Sequence, residues 1–306
     1  MKVLVTGADG FVGRYLVRRL AREGHPVVAA CRPHGPAVEW GGRDVTTAPL
    51  ELTDDRSVRG ALESGPDAVV HLAAVASNRE AYADPGQAWT VNAGGTARLA
   101  EALGGSETRL LVVSSGEVYG PGPSTPRRES DPIAPASPYA ASKAGAELAA
   151  LEVWRRTGLP VIIARPFTHT GPGQETRFVL PAFVARMREA KASGARTVPS
   201  GNLAPVRDLL DVRDVVEAYL LLLRDGQPGE TYNVARGEGC TVRQLFDRLA
   251  TLVGVPIEPE LDPSLARTSD IPHLVGDSTK LRRATGWAPA RSLEQTLRGL
   301  VDAEAD

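Results

Sequence analysis

Short apolar runs and longer amphipathic runs alternate through the first half of the chain. Val3, Leu4 and Val5 sit in a run from Lys2 to Thr6 that predicts a buried strand. From Phe11 to Arg22 the apolar residues Phe11, Val12, Leu16, Val17 and Leu20 share one helical face, and Gly24 follows where a helix would stop. The same reading predicts strands over Val27–Cys31, Asp67–Leu72, Arg109–Ser114 and Pro160–Arg165, with helices over Gln87–Leu103 and Ala140–Arg156. This alternation predicts an α/β fold with a doubly wound, Rossmann-type parallel sheet between helices. Past Phe167 the pattern changes. Gly, Pro and Thr crowd residues 168–176; helices are predicted over Phe178–Ala190, Val212–Arg224 and Thr241–Val253, with a strand at Thr231–Val234. The expected division is a main domain over 1–167 and a smaller α/β lobe over 168–306, interwoven with it.

The length of 306 residues suits two units at ~150 residues each. Thirty-five basic residues against 37 acidic give a net charge of −2, which argues against a nucleic-acid or anionic-membrane partner. Cys31 and Cys240 are far apart in sequence and build no disulfide framework, and no Cys/His cluster has zinc spacing, so no metal is expected. No apolar run approaches the ~18 residues of a membrane span, and no signal-peptide pattern precedes the first strand. The expectation is a cytoplasmic protein.

Residues 6–13 read T-G-A-D-G-F-V-G and join the first strand to the first helix. Gly7, Gly10 and Gly13 permit a tight turn and a close backbone approach to pyrophosphate. Phe11 and Val12 open a helix whose N-terminus offers N–H donors and a positive dipole end. The turn therefore predicts dinucleotide binding by the first domain. An acid ending the second strand would favour NAD; here Cys31 and Arg32 stand there, so a guanidinium is available to a 2′-phosphate, with Arg14 nearby. NADP(H) is favoured and NAD(H) remains possible.

Tyr139 and Lys143 are spaced i, i+4 and share a helix face. Six tyrosines and four lysines in this chain give ~0.1 chance Y-x-x-x-K pairs, so the pair is informative. An ammonium beside a phenol favours phenolate and so readies it for proton transfer to a carbonyl. Ser115, in L-L-V-V-S-S-G-E-V-Y-G, ends a parallel strand on the side where ligands bind, and Asn92 either orients this network or ties down its helix.

With those residues in view, the chain resembles the extended short-chain dehydrogenase/reductases of the nucleotide-sugar epimerase/dehydratase superfamily. The resemblance rests on T-G-A-D-G-F-V-G, H-L-A-A at 71–74, V-N-A-G-G-T at 91–96, S-S-G-E-V-Y-G at 114–120, S-P-Y-A-A-S-K at 137–143 and R-P at 165–166. It implies catalytic roles for Ser115, Tyr139 and Lys143. It implies cofactor contacts at Gly7, Gly10, Phe11, Val12, Gly13, Arg32, Glu51, Leu52, Leu72, Ala73, Ala74 and Pro166 as well as Tyr139 and Lys143, Glu51 standing where the family often has an aspartate near the adenine. It also implies a homodimer. In the second half, R-P-F-T-H-T-G-P-G-Q, R-D-L-L-D-V-R-D and the segment 267–282 resemble GDP-4-keto-6-deoxy-mannose reductases and related 4-ketoreductases of deoxysugar pathways. This implies a nucleotide-sugar substrate met by Glu117, Thr168, Arg207 and Arg267, the arginines holding its diphosphate.

Departures from the family pattern narrow the chemistry. Thr168 replaces the usual asparagine of R-P-x-N, and Gly116 stands where GDP-fucose synthases carry an epimerising cysteine. Glu117 alone remains of an Asp-Glu pair used by glucose dehydratases, though mannose dehydratases keep a glutamate at that position. The expected activity is NADPH-dependent reduction of the 4-keto group of a nucleotide-linked 4-keto-6-deoxyhexose. The alternatives are an epimerase or 4,6-dehydratase with tightly bound cofactor, and a non-catalytic dinucleotide sensor.

Overall fold

The computed structural model describes residues 1–35, 38–41, 44–265 and 271–303. Six parallel strands come first: β1 (Val3–Thr6), β2 (Val27–Cys31), β3 (Val45–Pro49), β4 (Ala68–His71), β5 (Arg109–Val113) and β6 (Val161–Pro166). β7 (Thr168–Thr170), β8 (Thr197–Ser200) and β9 (Val206–Asp211) are then laid down elsewhere, and β10 (Thr231–Val234) returns to pair with β6. The main sheet runs β10-β6-β5-β4-β1-β2-β3. Because the sheet is covered on both faces, its inner strands read as unbroken apolar runs.

The pleat sorts alternate strand residues to opposite faces. Val3, Val5, Ala29, Val70 and Leu111 meet α1 (Phe11–Arg22) on one face, and Leu4, Val28, Val69, Leu110 and Val112 meet α2 (Asp55–Leu62) on the other. After α3 (Asn78–Ala83) and α4 (Pro85–Ala88), the second face is completed by α5 (Gly95–Leu103) and α6 (Pro138–Thr157), which Gly158 ends in the left-handed conformation at φ +80°. Past α7 (Val179–Ser193), α8 (Val212–Asp225) returns to the first face, burying Val215, Tyr219 and Leu222 there.

The second lobe has its own core, in which Phe183 and Met187 of α7 meet Phe246 and Leu249 of α9 (Val242–Val253). In it β9 pairs with β7, with β11 (Gly239–Thr241) and with β13 (His273–Leu274), while β8 pairs with β12 (Glu258–Leu261). The short helix α10 (Thr279–Thr285) goes back against the first face through Leu281, and α11 (Leu293–Asp302) closes the second core through Leu297.

Two differences from the sequence-based elements have physical causes. β3 reads V-T-T-A-P and lies at the sheet edge, where one side needs no partner and Pro49 costs no ladder bond, so no apolar run marks it. The single helix predicted over Gln87–Leu103 is instead α4, a π-helical stretch Trp89–Gly94, and α5. The wider π turn carries Asn92, whose buried amide accepts from Val75 N–H (2.8 Å) and donates to Val75 C=O (3.1 Å) and Ser142 Oγ (2.9 Å). Of the two roles open to Asn92, the second is the one its bonds serve: it fastens the loop after β4 to the first turns of α6.

Candidate active site

The strand order reverses between β1 and β4, and the carboxyl ends of these strands form the crevice where doubly wound sheets bind ligands. Gly7 ends β1 with φ +66°, and a Cβ there would stand 2.8 Å from the Ala73 nitrogen of the turn after β4. At Gly13 a Cβ would meet Gly7 C=O at 2.2 Å, so α1 can press against the turn only without a side chain there. Gly10 is the N-cap of α1 but offers no capping side chain, and no acid stands in the first helical turn. The helix end therefore leaves its N–H groups to an anion. Phe11 stacks on His169 of the second lobe (centroids 6.5 Å apart, planes at 5°), and Val12 packs against the first core. Arg14 is turned inward, its Nε donating to Asp9 C=O (2.8 Å).

At the end of β2 the buried Cys31 is followed by an exposed Arg32. The turn after β3 brings a carboxylate beside it: Glu51 is held below the usual carboxylate range first by hydrogen bonds from Thr53 Oγ1 (2.7 Å) and N–H (2.9 Å), and also by the charge of Arg32. Leu52 is buried against α5, where a Cβ on Gly95 would meet it at 2.8 Å. Leu72, Ala73 and Ala74 form the facing wall. The Leu72 and Ala73 N–H groups both donate to Thr6 Oγ1 (3.1 Å each). With both lone pairs taken, Thr6 gives its own proton to His71 Nδ1 (2.8 Å), so His71 carries its proton on Nε2, facing Thr96 Oγ1 (3.0 Å). Burial, helped by the Lys143 charge, pushes His71 down to about 3 and keeps it neutral.

Ser137 caps α6 and Pro138 fills its first turn, placing Tyr139 and Lys143 one above the other. Lys143 is only 4% exposed, and its ammonium makes no hydrogen bond among the described residues. Burial pulls its pKa down to about 8, against the carboxylate of Glu147 one turn further on. Tyr139 departs from expectation. Its phenol is pushed up by its surroundings and by facing Glu117, with only Ser115 working in the other direction. The electrostatic influence of Lys143 runs instead to His71, while the charge raising it comes from Glu147. Ser115 is buried and accepts Glu117 N–H (3.1 Å), and its hydroxyl is hydrogen-bonded toward the Tyr139 phenol. The adjacent Ser114 donates to Glu147 and so belongs to the support. Glu147 also receives a two-pronged bond from Arg165 (2.9 and 2.6 Å), whose other nitrogen donates to Tyr119 OH (2.9 Å).

Pro166 ends β6, buried, and Thr168 begins β7 half-buried beside it. Glu117 accepts from Asn78 Nδ2 (2.8 Å), while Asn78 Oδ1 is buried with no donor. Gly116 faces Phe167: a Cβ there would stand 3.1 Å from the ring, a tight contact that a larger residue would relieve only by shifting the ring a few tenths of an ångström. Arg207 lies on β9 and donates to Val206 C=O (2.9 Å) and Ile271 C=O (2.7 Å). Arg267 lies outside the described residues. Asn78 and Glu147 were missed from sequence. Only Glu147 carried a signal, the repeat of the Tyr139–Lys143 spacing.

The open anion-binding turn, the close glycine contacts and the buried, unbonded ammonium fit a dinucleotide. The chain belongs to the NAD dependent epimerase/dehydratase family, whose model matches residues 3–235, and is an NAD(P)-dependent enzyme of the extended short-chain dehydrogenase/reductase type. It is 34% identical to a GDP-6-deoxy-D-mannose reductase of Pseudomonas aeruginosa, over 98% of this chain and 96% of that one. Among solved structures, RMD from Pseudomonas aeruginosa complexed with NADPH superposes with a TM-score of 0.83 at 33% identity, covering 98% of this chain and 97% of that chain. A UDP-glucose 4-epimerase of Thermus thermophilus in complex with NAD superposes at 0.87 and 32%, covering 99% and 98%. Among the described residues, no helix is long and apolar enough to cross a membrane.

Proposed function

We propose that this enzyme uses NADPH to reduce the 4-keto group of a nucleotide-linked 4-keto-6-deoxyhexose. The observation that carries the reading is Gly116 packed on Phe167: the position that would hold an epimerising acid/base side chain carries none and lies against an aromatic ring. When bound, a reduced nicotinamide supplies the hydride. Tyr139 gives its proton to the oxygen of the carbonyl being reduced, and Ser115, its oxygen engaged by Glu117 N–H, turns its own proton to the same atom. In this reading Lys143 bonds the cofactor's ribose, and the buried, unpartnered Asn78 Oδ1 accepts from a sugar hydroxyl. Arg207 and Arg267 are assigned to the substrate diphosphate.

Incubation with NADPH and the keto sugar in deuterated water tests this. One NADPH should be oxidised per sugar, with no enzyme-dependent deuterium at C3 or C5, and deuterium from 4-labelled NADPH should appear at C4. Label at C5 without net NADPH consumption overturns the reading. A second reading, a dehydratase with retained cofactor, is favoured by Glu117, which Asn78 holds facing the Tyr139 phenol.

The NADPH preference rests on Arg32. Losing one charge-assisted contact to a 2′-phosphate costs about 1.5–3 kcal/mol, so Arg32→Ala should shrink the NADPH-over-NADH ratio of kcat/KM about tenfold or more. An unchanged ratio in steady-state kinetics with both cofactors removes Arg32 from the cofactor site. The reading includes cytoplasmic residence and a homodimer. For the dimer the support is Trp89, 47% exposed, lying over Gly145 of α6, with Leu148, 63% exposed, one turn along.

A further inference from the structure

Away from the dinucleotide turn, a cleft of about 940 Å³ opens between the loop after Tyr119, the turn after β10 and the segment 276–282. At its wall stands Arg127, 5% exposed. Its Nη2 donates to Gly120 C=O (3.2 Å), and its Nε is buried with no partner. Arg236 and Arg282 line the same cleft. Arg236 spends its Nε and Nη2 on the Leu209 and Arg291 carbonyls (3.0 and 2.7 Å), and Arg282 uses Ser278 Oγ and Arg236 C=O (3.1 and 2.9 Å). None of the three forms an ion pair among the described residues. The acids around the cleft are engaged or outlying. Asp131 accepts Arg128 N–H (2.9 Å), Asp277 accepts Thr279 N–H (2.8 Å) and lies 3.4 Å from the Arg128 side chain, and Glu238 is exposed. Asp208, beneath the cleft, accepts the N–H groups of Arg236, Gly237 and Gly276.

A guanidinium taken out of water with one carbonyl for company is costly unless an anion completes it. The loop at Gly122 passes closely over the guanidinium: a Cβ there would stand 1.9 Å from Nη2, so any other residue would push the Arg127 side chain aside. Beside the arginines, Pro121, Pro123 and Pro132 give the cleft an apolar flank. Guanidinium forks against an apolar wall are the means by which proteins hold a phosphate carried on an organic body, and the volume is that of a small-molecule site.

We propose that this cleft, built on Arg127, Arg236 and Arg282, is a second binding site, separate from the dinucleotide crevice, for a small organic phosphate of nucleotide size. The proposal does not depend on the reductase reading. To test it, AMP and inorganic phosphate are titrated calorimetrically into protein saturated with NADPH, using wild type, Arg127→Met and Arg282→Met. AMP should bind the wild type, inorganic phosphate at least tenfold more weakly, and each variant should lose AMP affinity tenfold or more while binding NADPH within about twofold of wild type. Because Arg127 is buried, its variant is checked by thermal melting, and the exposed Arg282 decides the matter if Arg127→Met does not fold. No AMP binding at millimolar concentration, or AMP binding that Arg282→Met leaves untouched, overturns the proposal.

Discussion

Tyr139→Phe should lower kcat by about 10²- to 10⁴-fold, equivalent to about 3–5 kcal/mol of transition-state stabilisation, the span that a positioned general acid contributes. The substitution removes one hydroxyl. It leaves Ser137 capping α6, the Ser142 and Asn92 bonds that fix the helix start, and the glycine turn all in place. Dinucleotide affinity, measured by fluorescence titration, should stay within about twofold of wild type, and unfolding free energy within about 0.5 kcal/mol. Keeping more than a tenth of wild-type kcat would show that the proton comes from another group. Glu117 would then be the first candidate, because it faces the same phenol.

Glu147→Gln should act on both stability and pH dependence. The carboxylate is 2% exposed and faces the equally buried Arg165 at 2.6 Å. Removing one partner of such a pair leaves an uncompensated charge and costs about 3–5 kcal/mol, read by urea unfolding. The sign of the second effect follows from charge. Glu147 raises the Lys143 pKa against burial, which pulls it down to about 8. Without that negative charge the ammonium loses its proton at lower pH, so the alkaline limb of the kcat/KM profile should move downward. The double variant Glu147→Gln with Arg165→Met should recover much of the stability, since the stranded guanidinium is gone, yet keep the displaced limb. A limb unchanged in both variants would mean that Glu147 only braces the fold and does not set the charge of Lys143.

The alternation of the first half was legible because strands buried on both faces must be continuously apolar, and the helices between them must carry an apolar stripe. Strands β1, β2, β4, β5 and β6 followed from that alone. β3 was illegible because an edge strand needs neither feature, and β7, β8 and β11–β13 were illegible because they are short pieces between Gly/Pro-rich segments. At the site, Gly7, Gly13, Ser115, Tyr139 and Lys143 were marked by spacing, and the structure brings them to the carboxyl ends of β1, β4 and β5. What spacing did not contain was the electrostatic setting. From sequence the lysine acts on the tyrosine; in the fold it is poised between Glu147 and His71, and the tyrosine answers to Glu117 and Ser115. Glu147 shares the helix of Lys143 at the same spacing, but His71 on β4 and the turn carrying Ser115 and Glu117 are distant in sequence, so no local pattern joins them to the pair.

Within the described residues the polypeptide passes between the two hydrophobic cores five times: from β6 to β7, from β9 to α8, from β10 to β11, from β13 to α10, and from α10 to α11. A pair of bodies joined by one strand of chain can swing like a door. Each further crossing removes freedom, and five leave little rotation that does not tear backbone pairing such as that of β10 with β6. Closure around a substrate then falls to side chains and short loops at the crevice, such as the Arg177–Glu80 ion pair (2.6 Å) that already bridges it. The same stitching means that a polypeptide cut after Phe167 lacks the strand and the helix that finish its own sheet. A first half made alone would leave bare the sheet face that α8 covers and the β6 edge that β10 pairs, so the two parts are expected to fold as one unit.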